Sequence, residues 1–222
     1  MSCEADQPYA HDEWNKSTIK SGMTLSNDNR TVSFSTGGWK NLKGTLKMDS
    51  SEGGRYHFRI KIESHENSGS NSLMIGICDH NNNSTSVYSN SGNNCVYNLR
   101  EGGIWVRGTE NKTYGEKMQT GDILGIIIDF DEKKLVFQKN EKVFRTAWSN
   151  FTGIFVLSCD LNYKNDRVTI IGYSLRQIAI HLDINVSKVR YWLRKWEDEK
   201  RITNKKTGPK KQQNHTRTEN FC

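Results

Sequence analysis

The run Gly121–Phe144 limits most tightly what this chain can fold into. It reads Gly-Asp-Ile-Leu-Gly-Ile-Ile-Ile-Asp-Phe-Asp-Glu-Lys-Lys-Leu-Val-Phe-Gln-Lys-Asn-Glu-Lys-Val-Phe. Ile123–Ile128 is a short apolar stretch rich in β-branched residues, the composition of a strand buried on both faces. Asp129–Lys134 is a polar turn, Leu135–Gln138 alternates apolar with polar, and Asn140-Glu141 turns the chain back toward Val143-Phe144. Consecutive antiparallel strands on tight turns predict a meander near the centre of a β-sandwich.

The segments before and after it carry the same period. Met23–Phe34 predicts a hairpin turning at Asn27-Asp28-Asn29, and Gly37-Gly38 ends it just before Trp39. Gly44–Met48 is expected to be a short strand. From Arg55 to Ile62, Tyr56, Phe58, Ile60 and Ile62 alternate strictly with Arg55, His57, Arg59 and Lys61, the pattern of a half-exposed antiparallel strand. Leu73–Cys78 reads as a buried strand, followed by the Asn- and Ser-rich stretch Asp79–Asn94, which only Val87 and Tyr88 interrupt with apolar groups. A loop that long with no structure of its own points to function. Val96–Leu99, Ile104–Val106, Ala147-Trp148, Gly153–Cys159 and Arg167–Ile171 supply further strands, and Trp14 is expected to dock on the sandwich from a polar N-terminal segment, residues 1–22.

Gly121, Asp122, Gly125, Asp129, Leu135, Phe137 and Asn140 resemble the pattern of the SPRY family, a β-sandwich interaction module. The aromatic strand after Gly53-Gly54 and the Tyr114-Gly115 pair ahead of Gly121 are similar to the family as well. Glu141 stands where the family usually has Gly, so the turn there is expected not to be a two-residue type I′ turn. The resemblance covers residues 23–171. It implies a mainly β fold, an antiparallel sandwich whose loops grip a protein or peptide. His80 and Tyr88 in the long loop, with Tyr97, Trp105, Tyr114 and Trp148 as aromatic anchors, are the candidate contacts.

The period changes at Gly172-Tyr173. Ser174-Leu175-Arg176-Gln177 forms a capping-box pattern, and Leu175, Ile178, Ala179 and Leu182 fall on one helical face. After Asp183–Val186, Val189, Trp192, Leu193 and Trp196 repeat the spacing, which predicts a small helix-turn-helix over 172–200 and a basic tail over 201–222. Residues 174–211 resemble the helix-turn-helix of mariner-type transposases and paired-like domains, although strand Arg167–Ile171 occupies the place of that family's first helix. The resemblance implies DNA contact. Ser187, Lys188 and Tyr191 would face bases, while Arg190, Arg194, Lys195, Lys205, Lys206, Lys210 and Lys211 would sit on phosphates.

Charge supports treating the two parts separately. The formal net charge is +7, and residues 172–222, with 12 basic and 5 acidic side chains, hold all of it. The five cysteines are scattered without a Cys-x-x-Cys pair, which argues against a disulfide framework or zinc cluster; Cys78 and Cys159 are expected as buried thiols. With no signal-like or 18-residue apolar segment, an intracellular protein, nuclear or cytoplasmic and without membrane contact, is expected. The histidines lack metal-ligand spacing, no nucleophile-elbow or phosphate-loop motif occurs, and the chain stops where a transposase catalytic domain would begin. The expected protein is therefore a non-catalytic adaptor without cofactor or metal, gripping a polypeptide with the sandwich and DNA with the tail. The alternatives are a pure protein-interaction module, such as a ubiquitin-ligase substrate receptor whose helical tail recruits a partner, or a transposon-derived fusion with an inert tail.

Overall fold

The structure, a computed structural model, describes residues 12–65, 73–88 and 91–171. In chain order its strands are β1 (Met23–Ser26), β2 (Thr31–Phe34), β3 (Lys40–Lys43), β4 (Met48–Asp49), β5 (Arg55–Ser64), β6 (Met74–Asp79), β7 (Asn94–Asn98), β8 (Ile104–Val106), β9 (Thr109–Asn111), β10 (Ile123–Asp129), β11 (Lys134–Lys139), β12 (Lys142–Ser149), β13 (Ile154–Leu161) and β14 (Arg167–Ile170). They form two antiparallel sheets. Sheet I runs β1-β2-β14-β5-β10-β11-β12, and sheet II runs β3-β13-β6-β7-β8-β9 with β4 added alongside β13.

Alternation decides what lies between the sheets. Sheet I turns Val32, Phe34, Phe58, Ile60, Ile62, Leu124, Ile126, Ile128, Leu135 and Phe137 inward; sheet II turns Leu42, Ile75, Ile77, Tyr97, Phe155, Leu157 and Leu161 to meet them. The strict alternation of β5 follows the expected pattern. β10 is buried on its core face, but Ile123 and Ile127 on the other face are only half-covered, so the expectation of two buried faces is corrected to one.

The meander is held by a lock that spans it. Asn140 takes φ +53°, a left-handed conformation that Asn tolerates better than most residues. Its Oδ1 accepts from the Ile123 amide at 2.9 Å and its Nδ2 donates to Asp122 Oδ1 at 2.9 Å. Glu141 is not left-handed, as a turn other than type I′ requires. Asn27, Asp28 and Asn29 are likewise all left-handed, which closes the β1–β2 hairpin without a glycine.

Three details differ from the sequence reading. The strand expected at Gly44–Met48 is displaced: the strands are β3 and β4, and Gly44 between them forms a bridge to Trp14. β9 has no apolar residue and so had no signal in the pattern. The packing also reaches back to Asp12. Trp14 is fully buried, and the Asp12 carboxylate accepts from the Glu13, Thr45 and Leu46 amides and from the Thr45 hydroxyl. The expected helix-turn-helix and basic tail, with Ser187, Lys188, Arg190, Tyr191, Arg194, Lys195, Lys205, Lys206, Lys210 and Lys211, lie outside the described residues.

Candidate functional site

The outside of sheet II is unusual for a sandwich face because it carries a buried apolar cluster. Met74 and Cys78 on β6, Val96 on β7 and Val156 on β13 form a second hydrophobic cluster, separate from the main core. They are hidden because the Asp79–Asn94 loop folds back over them and places its Val87 side chain, fully buried, among them. Half-exposed Tyr88 follows, packed between two other half-exposed rings. Its centroid lies 4.6 Å from Trp39, which precedes β3, and 5.1 Å from Trp105 on β8. Three chain segments distant in sequence thus meet in one partly exposed aromatic cluster.

The loop is held by one side chain. Asp160, on the outer face of β13, is fully buried, and its Oδ2 accepts from the backbone amides of Val87 (2.7 Å) and Tyr88 (3.1 Å) and from the Ser86 hydroxyl (3.2 Å). Its Oδ1 accepts from Asn41 Nδ2 at 2.7 Å, and Asn41 also donates to Ser158 Oγ. Asp160 makes no ion pair among the described residues; the nearby Lys43 ammonium donates instead to the His80 carbonyl at 2.9 Å. Burial lifts the Asp160 carboxyl to about 6, against the lowering by these donors. Burial also pushes the neighbouring Cys78 thiol up to about 12, so it is an inert packing group, as expected for a thiol in an apolar strand.

The six candidate contacts do not form one site. Tyr88 and Trp105 come together, joined by Trp39. His80 sits at the root of the loop, its amide donating to the Ile154 carbonyl at 3.0 Å. Tyr97 and Tyr114 are corrected from surface anchors to core residues. The Tyr97 hydroxyl donates to the Glu116 carbonyl and accepts from the Glu116 amide, while the Tyr114 hydroxyl donates to the Arg145 carbonyl and accepts from the Phe137 amide. Each ring is thus buried with its polar tip satisfied, and burial raises the Tyr114 phenol to about 12. Trp148 stacks on Phe151 at the rim of the main core, its centroid 4.7 Å away. The sequence reading missed Trp39, Asn41, Ser158 and Asp160 as site residues. The available signal was the polar pair Ser158 and Asp160, two apart in the otherwise apolar β13, which marks a face needing polar partners.

The family model for the SPRY domain matches residues 55–172, more than half of the chain. The chain belongs to the SPRY domain family. Its match begins at β5, so β1–β4 precede it, although β2 and β3 pair directly with β14 and β13. Solved structures share the fold. The SPRY domain of human HERC1 aligns with a TM-score of 0.61 at 14% identity, over 71% of this chain and 96% of that one. The TRIM65 PSpry domain aligns at 0.57 and 11% identity, over 73% and 93% respectively. A further human SPRY domain aligns at 0.52 and 15% identity, over 67% and 94%. No curated protein matches the chain. SPRY domains are typically non-catalytic protein-interaction modules. Among the described residues, no group of three His, Cys, Asp or Glu could hold a metal ion, and no helix is long and apolar enough to cross a membrane.

Proposed function

We infer that this SPRY protein is a non-catalytic adaptor whose sandwich binds a protein or peptide at the outer face of sheet II, around Trp39, Tyr88 and Trp105. The observation that carries this reading is the aromatic cluster itself. Large, half-exposed rings held in place by a rigid sheet are the residue types that dominate interface energies, and they lose little side-chain entropy on binding. The sheet edges favour this face over strand addition. β12 is the longest edge strand, but it carries two register irregularities against β11 and projects Lys142 and Arg145 outward, features that discourage pairing with a foreign strand. At the other edges, β1 has four residues, β9 three, and β3 and β4 beside β13 four and two.

Selection of ligands from a displayed peptide library tests this reading. Peptides bound by the full chain should lose roughly tenfold or more in affinity with Trp105→Ala or Trp39→Ala, about 1.4 kcal/mol, and much less with Trp148→Ala. Ligands indifferent to both cluster substitutions would refute it.

A second activity, docking of the C-terminal segment on DNA, rests on the +7 charge confined to residues 172–222. The SPRY match does not extend beyond residue 172, so it lends this reading no support. Binding of the full chain to duplex DNA should weaken with salt, log K falling by roughly 0.9 per phosphate neutralised for each tenfold rise in salt. No binding at about 50 mM salt rules it out.

A further inference from the structure

The outer face of a sandwich sheet ordinarily meets water and is polar. In sheet II it carries a buried apolar cluster beside the polar group Asn41, Ser158 and Asp160, and the cover of that cluster comes from a stretch poorly suited to the task. Of the loop residues between Asp79 and Asn94, only Val87 and Tyr88 bring apolar groups, and these two are the ones that reach the face. The remainder is Asn, Ser, Thr, His and Gly, and Thr85, one residue before the covering tripeptide, is exposed. Among the described loop residues, the cover is therefore the tripeptide Ser86-Val87-Tyr88.

Its mode of attachment has the parts of peptide recognition. Two successive backbone amides and one hydroxyl converge on a single carboxylate oxygen, Asp160 Oδ2. Two neighbouring amides reach one oxygen only where the chain bends, as it does at Val87-Tyr88, so the clamp selects a turn whatever its side chains. Selectivity comes from the flanks: Val87 enters the site lined by Met74, Cys78, Val96 and Val156, and Tyr88 enters the gap between Trp39 and Trp105. A main-chain clamp with separate places for side chains is the division of labour by which folded domains read short peptides. The clamp is also fixed in advance by groups outside the loop, since Asn41 holds the second carboxylate oxygen.

The roots of the loop are secured independently of this contact. The Asp79 amide donates to the Asn93 carbonyl at 2.8 Å and the His80 amide to the Ile154 carbonyl at 3.0 Å, and Lys43 holds the His80 carbonyl. Releasing residues 86–88 thus requires no unpairing of β6 or β7.

We propose that the outer face of sheet II is a peptide cleft that the chain fills with its own Ser86-Val87-Tyr88, and that its partner is a turn-forming segment of the same chemistry, a hydroxyl residue followed by a β-branched aliphatic and an aromatic, which displaces the chain's own. This rests on the reading of that face as the binding surface and adds the occupant and the competition. A tethered occupant acts at an effective concentration in the millimolar range, so a free peptide of equal quality binds the native chain weakly, and stripping the occupant of its two apolar side chains weakens that competition.

The test uses the full chain with Val87→Gly and Tyr88→Gly together, which vacates both side-chain places while keeping Asp160 and the apolar face. The probe is the synthetic peptide Asn-Ser-Thr-Ser-Val-Tyr, the sequence of residues 83–88, followed by calorimetry and tryptophan fluorescence. The double variant should bind it at least tenfold more tightly than the native chain, and adding Asp160→Asn or scrambling the peptide should abolish the gain. A folded double variant that binds no more tightly than the native chain, or equally well with Asp160→Asn, overturns the proposal. Hydrogen exchange on the native chain gives a second readout that needs no variant. The Val87 and Tyr88 amides should exchange by local opening, at least a hundredfold faster than the amides of β6 and β13; exchange at the same rate as those strands overturns the proposal as well. Library peptides that bind at Trp39 and Trp105 while these two amides stay protected would leave the binding face standing and refute the self-occupied cleft.

Discussion

The two sheets share one core and have opposite exteriors. Outside sheet I, charged side chains stand over the strands. Arg55 pairs with Asp129 at 2.7 Å with most of its side chain in water, Lys61 pairs with Glu63, and His57 lies low between Arg55 and Arg59. Outside sheet II, a lone carboxylate is buried under a loop and an apolar cluster is covered by it. Both exteriors come from alternating strands of similar length. The difference lies in what the chain places on top, so one polar residue on an outer face has very different weight in the two sheets. An exposed pair is screened by water and contributes little. A buried acceptor that satisfies two amides, a hydroxyl and an amide side chain leaves all of them orphaned when it is removed.

The largest test of this contrast compares two aspartates. Asp160→Ala should destabilise the protein by about 3–5 kcal/mol in urea unfolding, because buried donors lose their acceptor. Asp129→Ala, outside sheet I, removes the Arg55 ion pair and the acceptor of the Glu132 amide in the β10–β11 turn, and should cost about 1–2 kcal/mol. Equal losses would erase the distinction drawn here.

Protonation separates the exteriors by sign. Burial raises Asp160 from 3.8 to about 6, so the fold favours its neutral form. Its contribution is fully present below 3.8 and is lost as pH rises through about 6. Burial, helped by Arg59, lowers His57 from 6.5 to about 4, so the fold again favours the neutral form. That contribution is fully present above 6.5 and is lost as pH falls through about 4. Each amounts to about 3 kcal/mol, and between pH 4 and 6.5 they oppose each other. Relative to the native chain, Asp160→Asn should make stability rise more with pH, and His57→Gln should make it fall more with pH. Urea midpoints from pH 4 to 7 measure both, and parallel profiles for the three proteins would refute the opposition.

A smaller effect contrasts two glycines on these outer faces. A Cβ at Gly76 in β6 would lie 2.0 Å from the Cys95 carbonyl oxygen, a backbone atom that cannot yield without moving β7. At Gly125 in β10 the nearest atom is Gln138 Cβ at 2.9 Å, a less severe approach than at Gly76, and the next, at 3.1 Å, are Gln138 Oε1 and His57 Nε2, side-chain ends that can turn aside. Gly76→Ala should cost about 2–3 kcal/mol and Gly125→Ala about 1 kcal/mol by thermal unfolding. Smallest of all, Val143→Thr on the edge strand β12, where Val143 is 56% exposed, should shift stability by less than about 0.5 kcal/mol.

How far the sequence could be read follows from the same contrast. Inward-facing residues announce themselves by period, so β5, β10, β11 and the β1–β2 hairpin were legible from Phe58, Ile60, Ile126 and their neighbours. The Asp122–Asn140 lock was visible as a family pattern before its hydrogen bonds were known. The exterior of sheet II was not legible. Trp105 and Tyr97 are both aromatics in short strands, and only the sheet register shows that one faces out beside Val96 while the other faces the core opposite Ile75. Asp160 resembled an ordinary polar interruption because its donors, Val87 and Tyr88, lie more than seventy residues earlier. Trp39 carried no signal at all, since its partners come from two other segments. Gly44 misled the strand assignment because its missing side chain leaves room for the Asp12 carboxylate, whose Oδ2 lies 2.6 Å from where a Cβ would stand, and no local pattern records that.

The position of β14 has a consequence for how the molecule is made. It is the last described strand to leave the ribosome, yet it lies inside sheet I, hydrogen-bonded to β2 on one side and β5 on the other. At about 5–20 residues per second, synthesis reaches β14 on the order of ten seconds after β2 has emerged. For that interval two long-finished strands hold open a slot between them, with Val32 and Ile60 uncovered beside it. A chain ended between β13 and β14 would lack the strand that joins β2 to β5 and would leave both with an unpaired edge in the middle of sheet I.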